Sequence, residues 1–410
     1  MQMLGHGTPL WRPIGNVYIS NTTSKPSIEI GDVGIIANDG TFYYRFNIFQ
    51  PPSSDLQRSC PPDMIPLQPP LQPAEVITKP NHLPPGTLLT TMGIEATQIS
   101  ASPLQIKFVV KGREGAALVL PNGTSREDLA DPSRIRAYVR MHLLKWYRFM
   151  NRSRIGRISV PNGSLYLVTG YDKADAWAIA CGPLSYSRTG TDMSIRYQAD
   201  KTPVWQDFRG MTGNSNTPSD TVQSWAVFLR GMKLAVSNSD WVRYILHEDI
   251  PELPFYNVMK TPVLGRRARL QTYIEHRYNF PAKYLSESTH LLFNPLEIIL
   301  RYMIQESPNA DVAIVDDWVW CAVADRSDGS LSRVAHLLLR ILETHEIVIQ
   351  DGLATLKPFS PTQSKELSVQ SFRQITVGLS RFRRRSNIKR KLDKIFPGPP
   401  VPQEQFEDSD

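Results

Sequence analysis

Ser164-Leu165-Tyr166-Leu167-Val168-Thr169 and Ala176-Trp177-Ala178-Ile179-Ala180-Cys181, separated by Gly170 to Asp175, are the two runs on which the fold class turns. Both are short, apolar and rich in β-branched or aromatic residues, and turn-forming residues bound them, so they read as an antiparallel pair. Strands joined by short turns argue for an antiparallel α+β domain and against βαβ repeats, which need long helical crossovers.

The same grammar recurs outward from this pair. Ile28 to Ile36, the turn Asn38-Asp39-Gly40, and Thr41 to Phe49 predict a hairpin. Leu104 to Lys111 alternates, Gly112 to Gly115 turns, and Ala116 to Leu120 returns, closed by Pro121-Asn122-Gly123. Met193 to Gln198 and Ser224 to Val236 add strands, the latter enclosing Phe228-Leu229-Arg230-Gly231, and 206–222 reads as a mobile loop between them. Thr124 to Met150 reads as a long helix packing on the sheet. Thr124 and Glu127 have capping-box spacing, Asp131-Pro132 offers a second start, and Ile135, Tyr138, Val139, Trp146, Phe149 and Met150 form a stripe. Proline crowds Pro51 to Pro85, removing ladder donors, so that segment reads as a surface insertion.

After Ser288 the pattern predicts helices at Pro295 to Gln305, Asp311 to Ala324 and Ser330 to Thr344. A hairpin of Glu346 to Gln350 and Leu353 to Leu356 follows across Asp351-Gly352, a type I′ signal. The expected organisation is an α+β domain over 1–250 with an insertion at 51–85, a linker over 251–287, a small helical domain with a terminal hairpin over 288–358, and a largely disordered basic-then-acidic tail over 359–410. A winged-helix-like module is the alternative for 288–358.

The 410 residues suggest two or three domains, and no uncharged apolar run approaches the roughly 18 residues of a membrane-spanning helix. Cys60, Cys181 and Cys321 are odd in number and far apart, which excludes a disulfide framework or a structural zinc pattern. Met1 to Trp11 has no signal-peptide character, so the acceptors at Asn21, Asn122, Asn151 and Asn162 read as chance matches. The expected compartment is cytoplasm or nucleus.

Phosphate-cradling and metalloprotease motifs are missing, and the eight histidines stand singly, so neither cofactor nor metal is expected. Gly5-His6-Gly7-Thr8 resembles the local setting of a subtilase histidine. It lacks a strand-borne aspartate and a Gly-Thr-Ser turn, and it lies at the extreme N-terminus. Asp316-Asp317, between apolar residues and Trp318, is the most enzyme-like constellation, although neighbours on a helix do not converge. Trp205, Trp225 and Trp241 are candidate stacking platforms, with core packing as the plainer reading.

The net charge of +7 is concentrated. Arg381, Arg383, Arg384, Arg385, Lys389, Arg390, Lys391 and Lys394 stand against Asp393 alone, so this segment holds the whole imbalance. It resembles a nuclear-localisation signal, whose cations fill acidic grooves on an import receptor. With Phe372, Ile375, Leu379 and Phe382 upstream, it also reads as a basic amphipathic helix for an acidic partner, nucleic acid or anionic lipid. A simply solvated tail is the plainer alternative.

Five runs carry a resemblance: Gly5-His-Gly-Thr-Pro-Leu-Trp11, Ile30-Gly-Asp-Val-Gly-Ile-Ile36, Asn162-Gly-Ser-Leu-Tyr-Leu-Val-Thr-Gly170, Phe228-Leu-Arg-Gly231 and Ala310-Asp-Val-Ala-Ile314. Together they resemble a lineage-expanded family of uncharacterised proteins from mushroom-forming (basidiomycete) fungi, over residues 1–325. That family reads Cys-Asp-Lys where this chain has Tyr171-Asp172-Lys173, and often three acids where this chain has Asp316 and Asp317. The resemblance implies architecture and source, and it lends no activity.

Three functional readings follow. The first is a non-catalytic interaction or scaffold protein whose Arg381–Lys394 segment is a targeting or binding element. The second is a hydrolase or transferase of unfamiliar type using Asp172, Lys173, Asp316 or Asp317, which requires them to converge. The third is a membrane-active, defence-type protein.

Overall fold

The computed structural model describes residues 5–323, apart from 247–294 and several shorter segments, together with 341 and 344–359. One compact unit comprises 1–329 with 347–356, and a second comprises 330–346 with 357–410. In the second, Phe359 N–H donates to the Thr344 carbonyl at 2.9 Å.

The first unit is mixed α+β and mostly strand. Its ten-stranded sheet is built on two long strands, Leu165–Ala174 and Trp225–Val236, paired antiparallel from Leu165↔Leu234 to Ala174↔Trp225. Each divides its outer edge between two shorter antiparallel strands. Leu165–Ala174 takes Asp32–Ile36 beside its first half and Thr124–Leu129 beside its second. Trp225–Val236 takes Thr8–Ile14 beside Phe228 and Leu229, and Val312–Asp316 beside Met232 to Val236. The five runs quoted for the resemblance therefore lie side by side around this central pair.

The hairpin expected over 28–50 is present, with Asp32–Ile36 paired antiparallel to Phe42–Asn47. The C-terminal hairpin of His345–Gln350 and Leu353–Pro358 is present too, and positive φ at Asp351 and Gly352 matches the type I′ signal. Helix Ser133–Arg152 buries Ile135, Val139, Leu143, Trp146 and Tyr147 against Val33, Leu165, Leu167, Met232, Leu234 and Ile314. Asp131 Oδ1 accepts from the Ser133 N–H at 2.9 Å and from its hydroxyl at 2.6 Å.

Several expectations are corrected. The runs at 164–169 and 176–181 are not partners: the first strand continues to Ala174, and Trp177–Pro183 pairs instead with Glu114–Leu120 and Thr212–Asn216 in another sheet. Likewise Leu104–Val110 pairs with Ile94–Ala101 and Met193–Gln198, not with Glu114–Leu120. Strand, turn and strand look the same in sequence whether the chain folds back or crosses to a second sheet. The expected loop at 206–222 includes the strand Thr212–Asn216. Thr124–Leu129 is a strand, and the helix begins at the second start. The capping-box spacing loses to backbone pairing with the central strand.

The proline-rich insertion contributes buried Met64 and Leu67 to the core and ends in the strand Val76–Leu83. That strand is an edge of the sheet, and Pro80 lies between Lys79 and Leu83, where its pairing with Thr124–Leu129 shifts register. Arg134 on the helix grips Glu75 with two 2.8 Å bonds. Val312–Asp316, expected within a helix over Asp311 to Ala324, is a strand inside the sheet, and within that span Trp318–Cys321 is helical. The strand pairs in parallel with Leu353–Pro358, so these two segments extend the main sheet. A run of buried Val312, Ala313, Ile314 and Val315 has no period of its own, which makes a central strand and a core helix hard to tell apart. The linker at 251–287 and most of the helix expected over 330–344 lie outside the described residues. Among the described residues no helix is long and apolar enough to cross a membrane.

Candidate functional site

The site starts at a turn that glycine alone permits. Gly5 and Gly7 have φ of +78° and +87°, and a methyl on Gly7 would fall 2.2 Å from the Leu229 carbonyl oxygen. The chain is thereby pressed against the 225–236 strand, and His6 between the glycines is driven inward. Its ring stacks on Phe228 at 5.0 Å, meets His82 edge-on at 5.6 Å, and sets Nδ1 3.2 Å from Asp172 Oδ2.

Arg230 organises the surroundings. Its Nη1 donates to Asp172 Oδ1 at 2.8 Å and to the His6 carbonyl at 3.0 Å, while Nη2 reaches the Glu127 carbonyl at 3.2 Å and Nε binds Asp128. Arg126 Nε binds the other Asp128 oxygen at 2.5 Å, and its Nη1 lies 3.5 Å from His82 Nε2. Tyr171 donates to Glu127 at 2.6 Å. Burial pushes the Asp172 carboxyl up, yet the His6 hydrogen bond and the Arg230 charge outweigh it and hold the group below its ordinary value. Burial lowers His82, with Arg126 adding to the effect.

Backbone irregularities surround this cluster. The pairing of Leu165–Ala174 with Trp225–Val236 shifts register between Val168 and Gly170 and again between Asp172 and Lys173. The pairing of Thr124–Leu129 with Val76–Leu83 shifts between Thr124 and Arg126, where the partner advances from Leu83 to Lys79. Asn81, within that bulge, has φ of +54°. Bulges re-aim side chains, and here they flank Asp172 and His82. His6, His82 and Asp172 each offer one ligand atom, all within 4.8 Å of one another.

Gly170 is the close-approach point. A methyl there would lie 2.2 Å from Asp128 Oδ1 and 2.7 Å from the Glu127 carbonyl oxygen. Gly170→Ala is expected to cost about 1–3 kcal/mol by overpacking, read as a lower urea midpoint with an unchanged slope.

The other acids lie elsewhere. Asp172 is opposite Phe228 and Asp316 is opposite Met232, on different flanks of the same strand and four residues apart along it, about 13 Å at the strand rise. Asp316 faces Arg136 on the helix at 2.9 Å, and burial raises its pKa against that charge. Asp317 is fully buried in the opposite direction. Its Oδ2 accepts from the Tyr166 hydroxyl and from the Gly231 N–H, the latter at 3.1 Å, and burial pushes its pKa up to about 7. Thr8 also hydrogen-bonds Tyr166, linking the N-terminal strand to this second centre. Lys173 Nζ sits 3.9 Å over the Tyr171 ring. Asp172, Lys173, Asp316 and Asp317 therefore do not converge.

Trp241 packs edge-on to Tyr147 at 5.3 Å, and Trp225 tilts against Trp177 at 6.3 Å. The Trp205 side chain and the basic residues Arg381, Arg383, Arg384, Arg385, Lys389, Arg390 and Lys391 lie outside the described residues. The sequence reading missed His6, His82, Asp128 and Arg230. It denied His6 a strand-borne aspartate, and Asp172 is one; His6 is held in place because Thr8–Ile14, just after it, is paired into the sheet. A usable signal was present: an arginine amid the apolar residues of a central strand must find buried anions. Compared with known proteins, the chain matches no family model and no curated sequence.

Proposed function

We propose that this chain works by binding and not by catalysis, with the folded body as a platform and the Arg381–Lys394 segment as its contact for an acidic protein partner or import receptor. The observation that carries this reading is the dispersal of the candidate acids among separate internal partners. Asp172 is held by Arg230 and His6, Asp316 by Arg136, and Asp317 by Tyr166 and the Gly231 N–H. A general acid or base has to reach its substrate's proton, and carboxylates so engaged serve the fold instead. The concentration of the whole net charge of +7 in one segment supports an electrostatic contact there.

The test is the distribution of a fluorescently tagged full chain with and without 381–394. Deletion is expected to abolish nuclear accumulation, and an unchanged distribution removes the targeting role. A short DNA duplex serves as the competing probe. If about five of the cations meet phosphates, log affinity falls with log salt at a slope of about −4 to −5, which would favour nucleic acid as the partner.

A further inference from the structure

We propose that His6, His82 and Asp172 form a binding site for one divalent first-row transition cation, of which Zn2+ is the representative. The donor set is two imidazoles and a carboxylate, the nitrogen-rich combination that zinc and its neighbours accept and that calcium or magnesium does not favour. The three ligand atoms already lie within 4.8 Å of one another. His6 Nδ1 and Asp172 Oδ2, 3.2 Å apart, have about the separation of two donors on adjacent positions of an ion with bonds near 2.0–2.1 Å.

Each ligand is delivered by a separate backbone device. His6 sits between two positive-φ glycines, Asp172 sits at a register shift of the central strand, and His82 follows positive-φ Asn81 in the bulge of the edge strand. Three irregularities aimed at one point are more than an internal hydrogen bond requires. The outer shell is also in place, since Arg230 fixes Asp172 through Oδ1 and leaves Oδ2 toward the histidines, and Phe228 stacks on His6. Two guanidinium groups stand beside the site: Arg230 is shared between Asp128 and Asp172, and Arg126 binds Asp128 with its Nη1 3.5 Å from His82 Nε2, so a bound cation has to displace the Arg126 contact with His82. A bound ion would tie the N-terminal turn, the edge strand and the central strand together, with a coordination position left for water.

The experiment uses the full chain, stripped with chelator and titrated with Zn2+ by calorimetry and with Co2+ by visible absorption. Expected results are saturable one-to-one binding, a cobalt spectrum with nitrogen ligation, and a melting temperature that rises by a few degrees when free Zn2+ is about a hundred times Kd. His82 is partly exposed on an edge strand, so His82→Ala should fold. It is expected to weaken Zn2+ by more than the roughly 10–100-fold that loss of an outer-shell partner costs. His82→Asp restores a donor and part of the affinity, and His142→Ala, on the helix, leaves affinity unchanged. Absence of saturable binding, or His82→Ala binding as well as the parent chain, overturns the proposal and assigns the cluster to hydrogen bonding alone.

Discussion

Replacing Arg230 by methionine is expected to destabilise the protein by about 3–5 kcal/mol, the usual cost of breaking a buried ion pair by removing one partner. Arg230 is the shared counter-ion of Asp172, which is fully buried, and Asp128, and it also caps the carbonyls of His6 and Glu127. A methionine fills similar volume, so the loss is electrostatic and not a cavity. Asp172 would then keep the His6 hydrogen bond and the charge of Arg126, and the turn at Gly5–Gly7 would lose the bond that holds its central carbonyl. Urea unfolding at neutral pH measures this as a shifted midpoint. Arg230→Lys tests geometry separately: it keeps the charge but loses the planar fork that reaches four acceptors, and should recover less than half of the loss. Combining Arg230→Met with Asp172→Asn removes the stranded charge as well, and the double variant should be more stable than the sum of the single effects. A cost below about 1 kcal/mol for Arg230→Met would place the network outside the fold's essential contacts.

Asp317→Asn is expected to do the opposite and stabilise the protein at alkaline pH. Asp317 is fully buried with its pKa raised to about 7 by burial, against an ordinary value of 3.8. Between these two values the folded state holds more proton than the unfolded state, so stability falls as pH rises from about 4 to 7 and stays low above that. The difference corresponds to roughly 4 kcal/mol, taken as an order of magnitude. Asparagine keeps an oxygen to accept from Tyr166 and the Gly231 N–H, carries no charge, and offers an amide on the side where Oδ1 has no partner among the described residues. The variant should match the parent near pH 4 and exceed it at pH 8, with the pH slope reduced. Urea midpoints across that range measure both quantities, and parallel curves for the two chains would refute the assignment of the slope to Asp317.

Local strands and turns were readable because their causes are local. Gly40, Asp351 and Gly352 take positive φ at tight reversals, a conformation few residues adopt, and Asp131 caps the helix through its own side chain. The candidate site was only half readable. Asp172 was singled out, but its partners come from Gly5–Gly7, His82, Arg126 and Arg230, spread over more than two hundred positions. Nothing in the spacing of single histidines shows that a two-glycine turn and an edge-strand bulge meet beside one central carboxylate.

Sequence by itself determined the α+β class, the turns of the two hairpins at Asp39-Gly40 and Asp351-Gly352, and the placing of all the excess positive charge between Arg381 and Lys394, because composition and short-range sterics suffice for these. Only the tertiary structure decided which strands are neighbours, that Val312–Asp316 is a strand of the main sheet, and that His6, His82, Asp172 and Arg230 share one centre. Pairing partners are chosen by competition among many sequence-distant edges for the same hydrogen bonds and the same buried surface. That competition is settled only when the whole sheet is assembled.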